Sequence, residues 1–184
     1  ARRPAVIEAL GAATVLCVDK TGTLTENRMQ LRRLVTAQAD ATVANGTPLP
    51  ETVHALLAQA MLASRRGGSD PMDKALVDSA DAALAGTPHL HPAWQLAREY
   101  PLTPELLAMS QAWTDEAGHH ALAAKGAPEA IFGLCHLSPE DSAAWLAKVA
   151  LLAGQGLRVL AVAVGKAPDG ALPASQRDAT FELL

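Results

Sequence analysis

Asp19 is the residue of this chain best placed for covalent chemistry. It stands in the run Val15-Leu16-Cys17-Val18-Asp19-Lys20-Thr21-Gly22-Thr23-Leu24-Thr25, where four apolar residues carry a carboxylate to the end of an expected buried strand. Thr21, Gly22, Thr23 and Thr25 then supply hydroxyls, backbone N–H groups and one flexible turn. A carboxylate attacks phosphate once the opposing charge is neutralised, and this loop carries the donors for that task. The plain alternative is a strand ending in a polar turn. Three further positions offer chemistry: Asp73 near a helix start, Lys125 at the end of an apolar strand, and Arg158 after a pair of glycines. Each has an ordinary counterpart, namely a helix-stabilising carboxylate, a solvated strand-end ammonium and a surface ion pair. His89-Leu90-His91 and His119-His120 lack a cysteine or carboxylate at ligand spacing, so they read as loop histidines and not as a metal site.

The bulk numbers bound what surrounds these residues. A chain of 184 residues with 49% hydrophobic and 18% charged content belongs to the folded globular class. A net charge of −4 gives no electrostatic case for a nucleic-acid partner. Cys17 and Cys135 lie in apolar runs and read as reduced, buried thiols of a cytosolic protein. No run reaches the ~18–20 apolar residues that span a bilayer.

Periodicity places the elements. Residues 5–10 predict a short helix, 14–18 a strand buried on both faces, and 30–35 a further strand. Asn45-Gly46-Thr47-Pro48 is a loop by its turn chemistry. Residues 51–65 repeat apolar side chains on one helical face. The next helix opens at Asp70-Pro71-Met72-Asp73, with Asp70 as cap, and runs to about Leu84. Residues 94–100, 106–113 and 120–125 predict an antiparallel meander. Helices follow from Gly126-Ala127-Pro128-Glu129 and from Ser138-Pro139-Glu140-Asp141, the second burying Trp145, Val149 and Leu152. Residues 157–164 and 181–184 close the pattern as strands.

The Asp19 run resembles the phosphorylation motif of P-type ATPases, ion pumps that pass through an aspartyl-phosphate. The resemblance continues in order through residues 70–76, Lys125-Gly126-Ala127-Pro128-Glu129 and Gly156-Leu157-Arg158-Val159-Leu160-Ala161. It covers the chain from about Ile7 to Leu184. It implies an α+β fold, with an antiparallel sheet of roughly six strands flanked by helices as the nucleotide-binding domain, residues 31–178. Residues 1–30 are then the first strand and loop of a HAD-like Rossmannoid phosphorylation domain, and residues 179–184 the return to it. The Lys125 motif, and the absence of Ser-Glu before His91-Pro92, point to the branch that moves light cations such as calcium.

The resemblance also implies a site. Asp19 is the nucleophile toward the γ-phosphate of ATP, with Lys20, Thr21 and Thr23 beside it, and Mg²⁺ is held by Asp19 and the Thr21 carbonyl. Asp73 accepts from the adenine amino group, Lys125 lines the cleft, Gly126 lets a ligand approach the backbone, and Arg158 reaches phosphate. The family's stacking phenylalanine and its following lysine fall on Leu102 and Leu107, counted back from Met109-Ser110. Leucine lacks the aromatic stacking increment of ~0.5–1.5 kcal/mol, so weak binding of ATP is expected, with Tyr100 a possible substitute. Thr21 replaces the acid–base aspartate of related phosphatases, which leaves the acyl-phosphate long-lived. The family's Thr-Gly-Asp and Gly-Asp-Gly-x-Asn-Asp segments are absent, so the fragment is expected not to turn over. Its implied partners are the rest of the phosphorylation domain, an actuator domain and transmembrane helices. Residues 1–25 are a self-association hazard, and the whole is the cytoplasmic portion of an integral membrane protein. The rival readings are a nucleotide- or regulator-binding module without catalysis and an aspartate-based phosphatase.

Overall fold

Two short strands, β1 (Arg33–Val35) and β2 (Asp40–Thr42), pair as an antiparallel ribbon. The computed structural model describes residues 11–12, 14–15, 17–44, 47–168 and 171–184; the expected helix at 5–10 and the Asn45-Gly46 turn lie outside them. After a single 3₁₀ turn at Glu51–Val53 come α1 (His54–Leu62) and α2 (Pro71–Ala83). The main sheet begins with β3 (Gln95–Tyr100), β4 (Ala108–Thr114) and β5 (His120–Gly126). Helices α3 (Pro128–Leu134) and α4 (Pro139–Ala153) lead to β6 (Ala161–Lys166) and β7 (Thr180–Leu183). The five strands lie in sequence order and every neighbouring pair is antiparallel. The architecture is α+β, with five strands in one sheet and two in the ribbon where roughly six in one sheet were expected.

Strand alternation sends successive side chains to opposite faces, and helices cover both. Ala123 and Val162 join Leu56, Leu57, Met61, Leu76 and Leu84 in the cluster under α1 and α2. Leu122, Ala124 and Ala163 join Ile131, Phe132 and Phe181 in the other cluster, beneath α3. Helix α1 is buried almost all round, which suits a helix apolar on every side. Fully burying side chains such as Leu57 and Met61 contributes about 1.5–3 kcal/mol each. Helix α2 starts where sequence places it, because Asp70 Oδ1 accepts from the N–H groups of Met72 (2.7 Å) and Asp73 (3.2 Å). Among the described residues, no helix is long and apolar enough to cross a membrane.

The N-terminal segment corrects the sequence reading. Thr14, Val15, Cys17 and Val18 are exposed and belong to no strand, Val15 being 78% accessible. Apolar composition favours a buried strand only where a neighbour offers a ladder, and no described strand pairs with this segment. Cys17 is consequently exposed, against the buried thiol expected, whereas Cys135 is half-buried; both are free. In α4, Trp145, Val149 and Leu152 are half-buried and not core, because that helix lies on the outside of its layer with no fully buried residue.

Candidate functional site

Asp73 and Lys125, 52 residues apart in sequence, form an ion pair between α2 and the inner face of β5. Asp73 sits in the first turn of α2, where the cap fixes the helix start and aims its carboxylate at the sheet. Lys125 shares the phase of Ala123, whose side chain packs under α1 and α2, so it points inward and is 2% exposed; Asp73 is 5% exposed. The Lys125 ammonium also donates to Ser64 Oγ (2.6 Å), and Ser64 in turn donates to the Ala60 carbonyl (2.7 Å). The second Asp73 oxygen accepts from the Arg65 backbone N–H (3.1 Å). Burial pulls the Lys125 pKa below its ordinary value, and the carboxylates of Asp73 and Asp70 oppose that fall.

A second polar group adjoins this one. Gln111 Nε2 donates to Glu99 Oε1 (3.1 Å), and the Arg65 guanidinium donates to Glu99 Oε2 (3.2 Å). Trp113 donates its indole N–H to the Leu62 carbonyl (2.8 Å), which pins the end of α1 over the sheet. Ser64, Arg65, Glu99 and Gln111 were not picked out from sequence. The available signal was strand phase, since Gln111 and Lys125 occupy positions where an apolar face was expected.

A cavity of about 470 Å³ lies beside the pair. Met72 and Ala60, neighbours of Asp73 and bonded to Ser64 respectively, stand in its wall, and Arg158, Arg32 and Lys148 supply cations. Arg158 is exposed on the loop before β6. The volume falls in the range of small-molecule pockets, and Arg28, Arg33 and Glu26 also stand in its largely apolar wall.

The remaining expected residues lie elsewhere. Met109 is directly opposite Lys125 in the β4–β5 pairing. Leu102 and Leu107 are 55% and 50% exposed on the turn between β3 and β4, apart from the cavity lining. Tyr100 does not replace the missing aromatic: it faces the α3 side, 6% exposed, and donates to the Pro173 carbonyl (2.7 Å). Gly126 serves a close approach within the protein. A Cβ there would come within 2.6 Å of the Ala108 Cα, so the neighbouring strand occupies the space expected for a ligand.

The Asp19 loop is a closed turn on the surface. Asp19 Oδ1 accepts from the Thr21 N–H (3.3 Å), and Gly22 takes φ +78°. Thr25 Oγ1 accepts from the Gly22 N–H and donates to the Lys20 carbonyl, both at 3.3 Å. Lys20, Thr21 and Thr23 are exposed. Thr25 thus staples the loop with the Asp19 carboxylate at its head. Among the described residues no three acidic, histidine or cysteine side chains converge, and no hydrogen bond joins this loop to the Lys125 cluster.

No family model matches the chain. It is 37% identical over 194 residues to the "Probable cation-transporting ATPase I" of Mycobacterium tuberculosis (strain ATCC 25618 / H37Rv), covering 97% of this chain and 12% of that protein. The protein of the same name from Mycobacterium leprae (strain TN) is 37% identical over 174 residues, covering 88% of this chain and 10% of its own length. The "Probable cation-transporting ATPase F" of Mycobacterium bovis (strain ATCC BAA-935 / AF2122/97) is 31% identical over 200 residues, covering 89% of this chain and 22% of that protein.

Proposed function

We infer that this chain, which belongs to the cation-transporting P-type ATPases, is the part of such a pump that holds ATP. The carrying observation is the buried contact of Asp73 with Lys125, two residues singled out by separate motifs, beside a cavity that Arg158 lines. Residues 31–178 are read as the nucleotide-binding domain, residues 1–30 as the opening of the phosphorylation domain, and residues 179–184 as the return to it. Asp19 is the phosphoryl acceptor, and Asp19 with Thr21 would hold the Mg²⁺ ion, which would supply charge neutralisation. The chain's own part is to hold the acceptor carboxylate at the head of a stapled turn, with Thr23 and Lys20 beside it. The whole protein, of which this chain spans about an eighth by its first relatives, couples ATP hydrolysis to ion movement across a membrane from the cytoplasmic side.

Titration with ATP, followed by amide chemical shifts, tests the binding role. Shifts concentrated at Asp73, Lys125, Met109 and Arg158, and lost in Arg158→Ala, are the expected result. Scattered shifts, or none at millimolar ATP, refute it. A second reading, binding without turnover, is favoured for the chain alone because Asp19 is the single exposed carboxylate of its loop. Incorporation of label from γ-labelled ATP, abolished by Asp19→Asn, would rule that reading out.

A further inference from the structure

The cavity beside α1 and α2 carries more positive charge than its own wall balances. It holds about 470 Å³, within the range that takes small molecules. Ala161 and Val162 face opposite sides of the sheet and both stand in its wall, so the cavity reaches round the start of β6. Leu34 and Leu56 come to it from one apolar cluster, Phe132 and Trp145 from the other, and Leu157 and Leu160 from the loop between α4 and β6. Arg28, Arg32, Arg33, Lys148 and Arg158 line it against the single carboxylate of Glu26. Two of these cations are spent. Arg28 pairs with Glu26 (3.2 Å), and Arg33 forks onto both oxygens of Asp40 (2.6 and 2.7 Å). The side chains of Arg32, Lys148 and Arg158 make no ion pair or hydrogen bond among the described residues. Asp40 feels the Lys148 charge, but its oxygens already belong to Arg33. The three free cations come from three elements: the segment before β1, helix α4 and the loop before β6. The Lys148 ammonium lies 4.3 Å from the centre of the Trp145 ring, so an apolar plate of the wall ends in a positive charge.

We propose that this cavity binds an anionic single-chain amphiphile, a fatty carboxylate or the matching alkyl phosphate. Its chain lies along the apolar wall and its head is held by Arg32, Lys148 and Arg158. Either head accepts charge-assisted hydrogen bonds from guanidinium and ammonium groups. The chain gains about fourfold in affinity per methylene, from the transfer free energy of each buried CH₂. A neutral amphiphile keeps the second contribution and loses the first. A helical peptide is a poorer occupant, because one turn about 10 Å across and 5.4 Å high already takes up such a volume.

The proposal stands apart from the nucleotide-binding reading, whose test reads Asp73, Lys125 and Met109, all outside this wall. Arg158 belongs to both, so the variants are made at Arg32 and Lys148, which are exposed and whose replacement leaves the core intact. The 184-residue chain is titrated calorimetrically with octanoate, decanoate, decyl phosphate and octanol, each below its micelle concentration, while the tryptophan indole N–H signals are followed by NMR. Decanoate is expected to bind about fifteenfold more tightly than octanoate, for two methylenes, and octanoate about tenfold more tightly than octanol, for the charged head. The Trp145 indole signal, identified by its loss in Trp145→Phe, should shift. Those of Trp113, bonded to the Leu62 carbonyl, and of Trp94, stacked on His91, should stay. Arg32→Gln combined with Lys148→Gln should weaken decanoate and decyl phosphate about tenfold and leave octanol unchanged. The tighter of the two ten-carbon anions names the head group. No binding at millimolar decanoate, no dependence on chain length, equal binding of octanol and octanoate, or decanoate affinity retained by the double variant overturns the proposal. A Trp145 shift with ATP and none with decanoate overturns it as well, and assigns the cavity to nucleotide.

Discussion

Replacing Lys125 by methionine keeps most of the side-chain volume and removes only the charge, which isolates the worth of the buried pair. In the structure Lys125 is 2% and Asp73 5% exposed, so the substitution leaves a carboxylate in a dry site with one backbone N–H as its remaining donor. Removing one partner of a buried pair costs about 3–5 kcal/mol, since the stranded charge keeps its desolvation penalty. Against a typical total of about 5–15 kcal/mol that is a large share, and it corresponds to a fall in Tm of roughly 10 °C for a chain of this size. Asp73→Leu alone strands the ammonium and should cost a similar amount. The double variant, Lys125→Met with Asp73→Leu, strands neither group and should recover most of the loss. Urea unfolding at pH 7, followed by circular dichroism, gives the four free energies and their coupling. Single losses below about 1 kcal/mol, or losses that simply add, would mean the pair is solvated, as surface pairs are.

Three further outcomes follow from the fold and its chemistry. Gly165→Ala drives a Cβ to 2.5 Å from the Phe181 ring, which is 5% exposed and held in β7, so it should cost about 1–3 kcal/mol by thermal unfolding; an unchanged Tm would refute that packing. Asp70→Ala removes the cap of α2 and should cost about 1 kcal/mol in urea, whereas a loss near zero would mean the helix starts without it. Burial pushes the Cys135 thiol up to about 11 from 9.0, with Glu182 adding to the rise, so iodoacetamide at pH 8.5 should label exposed Cys17 and spare Cys135 by mass spectrometry. The unfolded thiol ionises first, so this contribution to stability is whole below pH 9 and is lost as pH rises from 9 through 11.

Local chemistry was legible where neighbours in sequence settle it. The Asp70-Pro71 start of α2 and the Ser138 cap of α4, whose hydroxyl accepts from the Asp141 N–H at 3.0 Å, both stand where the residues put them. The β4–β5 hairpin does too, since Asp115 Oδ1 closes the turn on the N–H groups of Ala117 and His119. What failed depends on partners distant in sequence. Residues 14–18 have strand composition and no described strand to pair with. Strand β2 is three residues long and was missed, because the Arg33–Asp40 fork at 2.6 and 2.7 Å is visible only once the ribbon is paired. The inward direction of Lys125 was legible from its phase with Ala121 and Ala123, but its pairing with Asp73 was not. The same count puts Tyr100 opposite Ser110 and away from Lys125, which excludes it as an adenine platform.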